Sequence, residues 1–372
     1  MKIGILTFWW SEDNYGQQLQ CFALQEYLRN AGHEPFLIRY NKQQDFPESS
    51  FLIKCVKGLN PIKLYKFCKG KINEEKIRRE YATHNRDFKG FQEKYITATY
   101  SIYTSYEDLK KSVPFADAYI VGSDQVWNFK DYHPRGFHSI LKAYMLDFVP
   151  KDKKRMSYAA SWGMKSVDES LKTEIAQLLG KFAYVSVREE SGVVICNDLG
   201  IRADCVADPT LLLSADSYRK IYTESSVRKP NGKFLLLYML NNLQKGDINA
   251  AVFEFAEQQN LSVVYVTGNG VIDKYEKFYA TIPEWLYLVD NAEYVVTNSF
   301  HCCVFSLIFN KRFGAVKLNG RFSGMNTRMD SLFAKYTPEE RYIENNDFSA
   351  LDIPIKPIEK AEAYELLNKL HE

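Results

Sequence analysis

One stretch decides the fold: Ala292-Glu293-Tyr294-Val295-Val296-Thr297-Asn298-Ser299-Phe300-His301, followed by Cys302-Cys303-Val304-Phe305-Ser306-Leu307-Ile308-Phe309. The run Tyr294–Thr297 predicts a buried strand, and His301–Phe309 predicts a buried helix. His301 then lies at the start of that helix, where free backbone N–H groups and the helix dipole form an anion site. Ligands of open α/β sheets bind at this edge. We therefore expect chemistry on a substrate with a phosphate or carboxylate, the alternative being a hydrogen-bonded core histidine.

The same alternation of strands and helices runs through most of the chain. The predicted strands of the first half are Lys2–Phe8, Pro35–Tyr40, Ala118–Val121, Arg155–Ala160, Tyr184–Val187 and Ala203–Ala207. Those of the second half are Phe234–Leu240, Val263–Thr267, Tyr294–Thr297 and Phe313–Val316. Helical patterns separate them, which indicates βαβ units and mostly parallel sheets.

The pattern restarts after Asp208-Pro209-Thr210, which divides the chain into two α/β halves that face a cleft. We predict an N-terminal Rossmann-like domain over 1–208, with a basic helical excursion at 41–115. A second Rossmann-like domain follows over 209–345. The tail, 346–372, includes an amphipathic helix that we expect to pack back on the first domain.

Composition excludes several classes of protein. The 372 residues are 46% hydrophobic and 25% charged, and the net charge of +2 gives no indication of a nucleic-acid partner. The sequence contains neither an apolar run of about 20 residues nor a signal peptide, so we expect a cytoplasmic protein. The seven cysteines form no C-x-x-C pair, which favours small buried residues over a metal site.

The excursion contains a basic amphipathic stretch, Phe51–Lys71, in which lysines alternate with large apolar residues. Such a stretch binds anionic membrane surfaces, which would hold the protein at the inner face of the cell membrane. The alternative is a solvated helix whose lysine stems cover apolar surface.

Two polar clusters follow strands of the first half. Asn14-Tyr15-Gly16-Gln17-Gln18 opens the first predicted helix, and Gly16 would let the backbone approach a ligand closely. The alternative for Asn14 is a plain helix cap. Gly122-Ser123-Asp124-Gln125-Val126-Trp127-Asn128 sets a tryptophan among polar groups, which favours sugar binding over a capped turn with a packed ring.

A third cluster places Arg188 just before a predicted helix, in Ser186-Val187-Arg188-Glu189-Glu190-Ser191. This position suits bidentate binding of a carboxylate or phosphate. The alternative is a salt bridge to Glu189 or Glu190. Cys302 or Cys303 beside His301 leaves a thiol nucleophile as a weaker alternative, since neighbours in sequence do not form the required spatial pair.

As a set, these clusters resemble the polysaccharide pyruvyl transferase family. The matching segments are Asn14-Tyr15-Gly16 through Ala23-Leu24, Gly122–Asn128, Ser157-Tyr158-Ala159-Ala160-Ser161, Ser186–Ser191, Asp208-Pro209-Thr210 and Ser299-Phe300-His301. Their order and spacing make the resemblance specific, and only the Phe51–Lys71 stretch and the tail lie outside it.

The resemblance implies a GT-B-like fold and the transfer of pyruvate from phosphoenolpyruvate to two hydroxyls of a sugar, as a cyclic ketal. The family's histidine matches His301, and the arginine that helps to hold phosphoenolpyruvate matches Arg188. The family commonly has Asp-Ser-x-His-Gly, whereas this chain has Asn298 for the aspartate and Cys302 for the glycine. The sequence therefore does not show which group orients His301.

Phosphoenolpyruvate as co-substrate needs cations and helix N-termini, and no metal or further cofactor. We expect His301, as general acid, to protonate its methylene carbon, with Asp124 as a candidate base near the acceptor. The predicted donor side comprises Arg188, Asn298, Ser299, Cys302, Arg321 and Arg328. The predicted acceptor side comprises Asn14, Tyr15, Gln17, Gln18, Trp127 and Asn128. The acceptor would be a sugar or lipid-linked oligosaccharide for a surface polysaccharide.

Two other functions fit the same pattern. One is a GT-B glycosyltransferase that uses a nucleotide sugar. The other is an inactive relative that only binds glycans, which the replacement of aspartate by Asn298 would explain.

Overall fold

The computed structural model describes residues 1–41, 70, 72, 75–129, 137–240, 248–268, 271, 273–337 and 339–372, except for the side chains of Arg321 and Phe322. The structure is α/β with two parallel four-stranded sheets, one in each half of the chain. This confirms the predicted fold class. Within the described residues, no helix is long and apolar enough to cross a membrane.

The first sheet has the strand order β2-β1-β3-β4, all parallel. These strands are β1 (Lys2–Leu6), β2 (Glu34–Leu37), β3 (Ala118–Gly122) and β4 (Lys154–Tyr158). Two short strands, β5 (Ser186–Val187) and β6 (Asp204–Cys205), pair in parallel, and single bridges join β5 to the β4 edge. The helices of the first half are α1 (Tyr15–Asn30), α2 (Phe88–Tyr95), α3 (Tyr106–Lys111), α4 (Phe137–Tyr144), α5 (Glu169–Leu179) and α6 (Glu190–Asp198).

The second sheet has the strand order β10-β9-β7-β8, also all parallel. Its strands are β7 (Phe234–Leu240), β8 (Ser262–Gly268), β9 (Tyr294–Thr297) and β10 (Phe313–Ala315). Its helices are α7 (Ala215–Thr223), α8 (Ile248–Gln258), α9 (Ile282–Asn291), α10 (Phe300–Ile308) and α11 (Thr327–Tyr336). Strand β7 is apolar throughout and almost wholly buried, as a central parallel strand covered on both faces should be.

Several 3₁₀ turns connect these elements: Pro209–Leu212, Gly320–Asn326 and Ser349–Leu351. The last helix, α12 (Tyr364–His371), lies against the first half. Lys154 donates hydrogen bonds from Nζ to the carbonyls of Lys369 (3.0 Å) and Leu370 (3.2 Å). The predicted domain boundaries themselves stay a prediction.

Strand β1 ends at Leu6, two residues earlier than the alternation of residues predicts. Thr7 turns its hydroxyl to the Ser123 carbonyl at 3.1 Å and accepts a hydrogen bond from Gln20 Nε2 at 3.0 Å. The backbone therefore leaves the sheet at Thr7, whose side chain contacts Ser123, the residue that follows β3.

The two halves share one hydrophobic cluster, which joins α1 to α9 and α10. The Tyr15 ring lies parallel to Trp285 with ring centroids 5.1 Å apart, and its hydroxyl donates to the Ala280 carbonyl at 2.8 Å. This packing brings the carboxyl ends of the two sheets together.

The Phe51–Lys71 stretch lies outside the described residues apart from Gly70. Its predicted contact with anionic membranes therefore stays a prediction.

Candidate active site

His301 lies at the second position of α10, one turn after the end of β9. The Ser299 hydroxyl caps this helix by accepting a hydrogen bond from the Cys302 backbone N–H at 3.4 Å. His301 is 6% exposed, so its ring sits in a closed pocket between the two halves. The strand–helix junction predicted from this stretch is confirmed.

Asn298 ties β9 to the end of β7. Its Oδ1 accepts from the Leu240 N–H at 2.7 Å, and its Nδ2 donates to the Leu240 carbonyl at 2.7 Å. An aspartate carboxylate has no hydrogen to donate to that carbonyl, so the amide suits this position better. Both polar atoms take part in the fold, and the predicted role of this side chain in donor binding stays a prediction.

Asp208 supplies the carboxylate that His301 was expected to lack. Its Oδ2 lies 3.5 Å from His301 Nε2 and accepts hydrogen bonds from Arg188 Nη1 (2.7 Å) and Ser123 Oγ (2.9 Å). Its Oδ1 accepts from the Thr210 N–H at 3.0 Å and the Thr210 hydroxyl at 2.6 Å. The sequence offered no signal for this pairing beyond the presence of Asp208-Pro209-Thr210.

The Asp208 carboxyl is fully buried. Burial alone would raise its pKa, but the charges of His301 and Arg188, together with the hydrogen bonds it accepts, hold that pKa well below its usual range. The site therefore contains a permanent carboxylate at the meeting point of the two halves.

Arg188 pairs with Asp208 rather than with Glu189 or Glu190. Its Nη1 also lies 3.4 Å from His301 Nε2. Its Nε and Nη2 are buried and have no hydrogen-bond partner among the described residues. Those two atoms form one edge of the guanidinium, the fork that binds a carboxylate side-on.

Arg328 approaches the same place from the second half. Its Nε donates to the Met325 carbonyl at 3.2 Å, and its guanidinium carbon lies 5.6 Å from the Phe300 ring centroid. The Arg188 guanidinium carbon lies 4.4 Å from that same centroid. Burial and the nearby charge of Arg188 lower the pKa of Arg328 to about 10. Two like charges held this close favour an anion beside them.

A cavity of about 310 Å³ opens beside the two arginines, between α11 and the β6 edge of the first half. Arg188, Asp208, Phe300 and Arg328 line its inner end. Arg321 lies in the 3₁₀ turn Gly320–Asn326, and its predicted side-chain contact with the donor stays a prediction.

Gly16 allows the halves to meet at His301. A Cβ atom added to Gly16 would lie 2.5 Å from His301 Cβ and nearer still to the ring atoms Cγ and Nδ1. The close approach that the sequence suggested is thus to the catalytic candidate of the other half. Asn14 caps α1 through the Gln17 N–H at 3.3 Å, and Gln17 Oε1 accepts from the Ser11 N–H at 2.7 Å.

Three residues predicted to bind an acceptor lie in the core instead. Trp127 is completely buried, donates from Nε1 to the Tyr144 carbonyl at 3.1 Å and packs on Trp162. Tyr15 is buried between the halves, and Gln18 is buried with its amide bound to the Trp9 carbonyl. The prediction that these side chains contact a sugar is therefore wrong.

Asp124 is 7% exposed and Asn128 is half-buried, both in the turn that follows β3. Ser123 and Asp124 both have left-handed backbone, with φ of 24° and 60°, a costly conformation that tertiary contacts must hold. Asp124 lies close enough to Arg328 for its charge to act on the pKa of that guanidinium, in the direction of a higher pKa. Asn128 Nδ2 donates to Gln125 Oε1 at 2.8 Å. Asp124 thus remains a candidate base.

Glu189 is a functional neighbour that the sequence did not identify. It is fully buried, and its Oε1 accepts hydrogen bonds from Ser161 Oγ (3.0 Å), Trp162 N (2.8 Å) and Gly163 N (3.1 Å). It holds the loop after β4 against the start of α6. It thereby fixes the backbone from which Arg188 projects.

The cysteines beside His301 are unsuited to nucleophilic catalysis. Cys302 and Cys303 are fully buried, and burial raises the pKa of Cys302 to about 12. The Cys302 N–H, predicted to bind the donor, is bound to Ser299 instead. In the described parts of the chain, no group of three or more His, Cys, Asp or Glu residues is placed to hold a metal ion.

Comparisons with known proteins fit this site. A family model described as polysaccharide pyruvyl transferase matches residues 14–318. No curated protein matches the chain.

Among solved structures, the chain is similar to the UDP-GlcNAc 2-epimerase of Methanocaldococcus jannaschii in complex with UDP-GlcNAc and UDP. That match has a TM-score of 0.48 and 12% identity and covers 94% of this chain and 91% of that chain. An alpha-glucosyltransferase in complex with UDP has a TM-score of 0.47 and 10% identity, with 95% and 89% covered. The UDP-GlcNAc 2-epimerase of Neisseria meningitidis bound to UDP-GlcNAc has a TM-score of 0.41 and 9% identity, with 91% and 92% covered.

The family match includes the segments from Asn14 at the start of α1 to His301 at the start of α10, with Arg188 and Asp208 between them, whereas Arg328 lies beyond it. It spans well over half of the sequence, and the chain therefore belongs to the polysaccharide pyruvyl transferase family.

Proposed function

We propose that the protein transfers pyruvate from phosphoenolpyruvate to two hydroxyls of a sugar in a surface polysaccharide precursor, which forms a pyruvate ketal. The observation that carries this proposal is the fork of Arg188. Its Nε and Nη2 are buried without partners in the described structure, while Nη1 lies 3.4 Å from His301 Nε2. A carboxylate bound to that fork would sit beside a titratable imidazole.

The charges around the site support an anionic donor. Arg188 and Arg328 contribute two guanidinium groups, and Asp208 is already engaged by Arg188 and His301. The start of α10 adds the positive end of a helix dipole. Phosphoenolpyruvate, with a carboxylate and a phosphate on one carbon, matches this excess of cations.

The proposed chemistry begins with His301 as general acid. The imidazolium donates its proton to the methylene carbon of phosphoenolpyruvate, which becomes a methyl group and leaves C2 electron-poor. A sugar hydroxyl adds to C2 and loses its proton. Inorganic phosphate then leaves with the C–O bond electrons, and a second hydroxyl closes the ketal as it loses its own proton.

Asp208 would act as the counter-charge of His301 in this sequence. Its Oδ2 lies 3.5 Å from His301 Nε2, where a negative charge can face the ring. Asp208 therefore supplies what the aspartate usually found at position 298 was expected to provide. This weakens the case for an inactive glycan-binding relative, which rested on the loss of that carboxylate.

The acceptor side depends on fewer observations. Asp124 is the candidate base for the attacking hydroxyl, and Asn128 and Gln17 lie near the strand ends that border the cleft. A lipid-linked oligosaccharide as acceptor and a contact of Phe51–Lys71 with anionic membranes remain part of this proposal.

The direct test is incubation of the protein with phosphoenolpyruvate and a panel of simple and lipid-linked glycosides. Mass spectrometry would follow the gain of a pyruvyl group, and a phosphate assay would follow release. His301→Ala should lower turnover by roughly 10²–10⁴. His138→Ala is a matched control, because His138 is an exposed histidine paired with Glu174 at 2.9 Å.

Two outcomes would contradict the proposal. One is near wild-type turnover in His301→Ala. The other is thermal stabilisation by a nucleotide sugar but not by phosphoenolpyruvate, which would favour a glycosyltransferase.

A further inference from the structure

The cavity beside the two arginines has a polar wall that the proposed reaction does not yet use. Helix α11 presents Arg328, Ser331 and Lys335 to this cavity, at positions i, i+3 and i+7. That spacing places them on one face of a helix. All three residues line the cavity along this face.

Two members of this wall have no hydrogen-bond or ion-pair partner in the part of the chain that the structure describes. Neither the Ser331 hydroxyl nor the Lys335 ammonium makes a hydrogen bond or ion pair within the described residues, although the Lys335 ammonium lies 5.5 Å from the centroid of the Tyr336 ring. Among the described residues, the hydrogen bond that Arg328 makes is from its Nε to the Met325 carbonyl. The wall therefore offers a guanidinium, a hydroxyl and an ammonium in a row.

The balance of charge in the cavity favours an anion. Its cationic lining residues are Arg188, Arg328 and Lys335, and its acidic ones are Asp208 and Glu190. Asp208 is committed to Arg188 and His301. Glu190, at the opposite edge, interacts with the thiol of Cys205.

The volume of the cavity and the donors along the α11 wall both suit a phosphate group. A cavity of about 310 Å³ is near the lower end of ligand-sized pockets. A phosphate has three acceptor oxygens to share among donors from different side chains, whereas the flat fork of Arg188 suits a planar carboxylate.

We propose that the α11 wall, Arg328 with Ser331 and Lys335, is the phosphate-binding end of the donor site. The inference rests on the proposed function, and it assigns each anionic group of the donor its own partner. Arg188 takes the carboxylate at the inner end beside His301. Lys335, at the exposed rim, first meets the incoming phosphate and holds it as it leaves.

The test is a titration of inorganic phosphate into the full-length protein, followed by calorimetry. Lys335→Gln should raise the dissociation constant of phosphate about tenfold, the effect of one lost charge-assisted hydrogen bond. Ser331→Ala should raise it by a smaller factor. Lys356→Gln is the matched control, since Lys356 is 88% exposed and carries the same charge away from the cavity.

Inhibition kinetics show whether the phosphate that binds the α11 wall belongs to the donor or to the acceptor. Inorganic phosphate should compete with phosphoenolpyruvate, and Lys335→Gln should raise KM for that donor. Competition with the sugar acceptor instead would overturn the assignment to the donor. Equal phosphate affinity in wild type and Lys335→Gln, or an equal loss in Lys356→Gln, would overturn the site.

These outcomes are separable from those of the proposed function. Phosphate binding that depends on Lys335, in a protein that never consumes phosphoenolpyruvate, would support the anion site and reject pyruvyl transfer. Pyruvyl transfer with the same KM for phosphoenolpyruvate in wild type and Lys335→Gln would support the proposed function and reject the phosphate site.

Discussion

Replacement of Gly16 by alanine should disable the enzyme by moving His301. The added Cβ would lie 2.5 Å from His301 Cβ, whereas ordinary contacts begin near 3.4 Å, so the histidine must retreat by about 1 Å. A misplacement of that size costs about 100-fold in rate when it affects the reacting group. We therefore expect kcat for pyruvyl transfer to fall by about two orders of magnitude.

The loss should not come from unfolding. Gly16 lies in the first turn of α1, where its backbone is helical, and alanine favours a helix over glycine by up to about 1 kcal/mol. Thermal unfolding should therefore remain close to that of the wild type. Gly70→Ala is the matched control, because a Cβ there meets no described atom within 4 Å.

A double-mutant cycle shows whether the effect passes through His301. Alanine at position 301 keeps the Cβ but removes the ring, so Gly16→Ala should have a much smaller effect on turnover once His301 is already alanine. Wild-type turnover in Gly16→Ala, or an undiminished effect in the His301→Ala background, would refute this reasoning.

Three further predictions concern stability. Asp208→Asn should lower the free energy of unfolding by about 3–5 kcal/mol, because Arg188 keeps a buried charge without its partner. Because the pKa of Asp208 is held low in the folded state, the difference in free energy of unfolding between wild type and Asp208→Asn should shrink as pH falls below about 4. Urea unfolding at several pH values measures this difference. Burial lowers the pKa of His33, so wild type should melt at lower temperature as pH falls below about 6.5, and His33→Phe should resist that fall. Trp127→Phe should lower the free energy of unfolding by about 1–3 kcal/mol, because the buried Tyr144 carbonyl loses its hydrogen-bond donor. The KM for the acceptor should stay unchanged.

The parts of the fold that depend on local pattern were predictable. The run Tyr294–Thr297 forms β9 with the predicted bounds, since an apolar segment followed by a serine cap leaves few alternatives. The sequence also predicted Arg188 just before a helix, and α6 begins at Glu190. The partner of Arg188 was not predictable, because Asp208 reaches it only through the pairing of β5 with β6.

Side-chain direction was the other limit. A tryptophan between Gln125 and Asn128 has the composition of a sugar platform, yet the turn after β3 points its ring inward against Trp162. Asn298 differs from the family's aspartate for a reason visible only in three dimensions, namely that the Leu240 carbonyl needs a donor. Sequence alone shows which groups are present at a strand end, not which way they face.

The stack of Tyr15 on Trp285 has a consequence for how this chain can vary. It packs α1 on α9, and Trp285 in turn contacts Phe305 of α10 with ring centroids 5.4 Å apart. This packing positions α10 and the His301 ring relative to Gly16. A substitution deep between the halves can therefore alter proton delivery without touching any substrate. Natural selection on the rate of this enzyme acts as much on the fit between its two halves as on the groups that meet the donor.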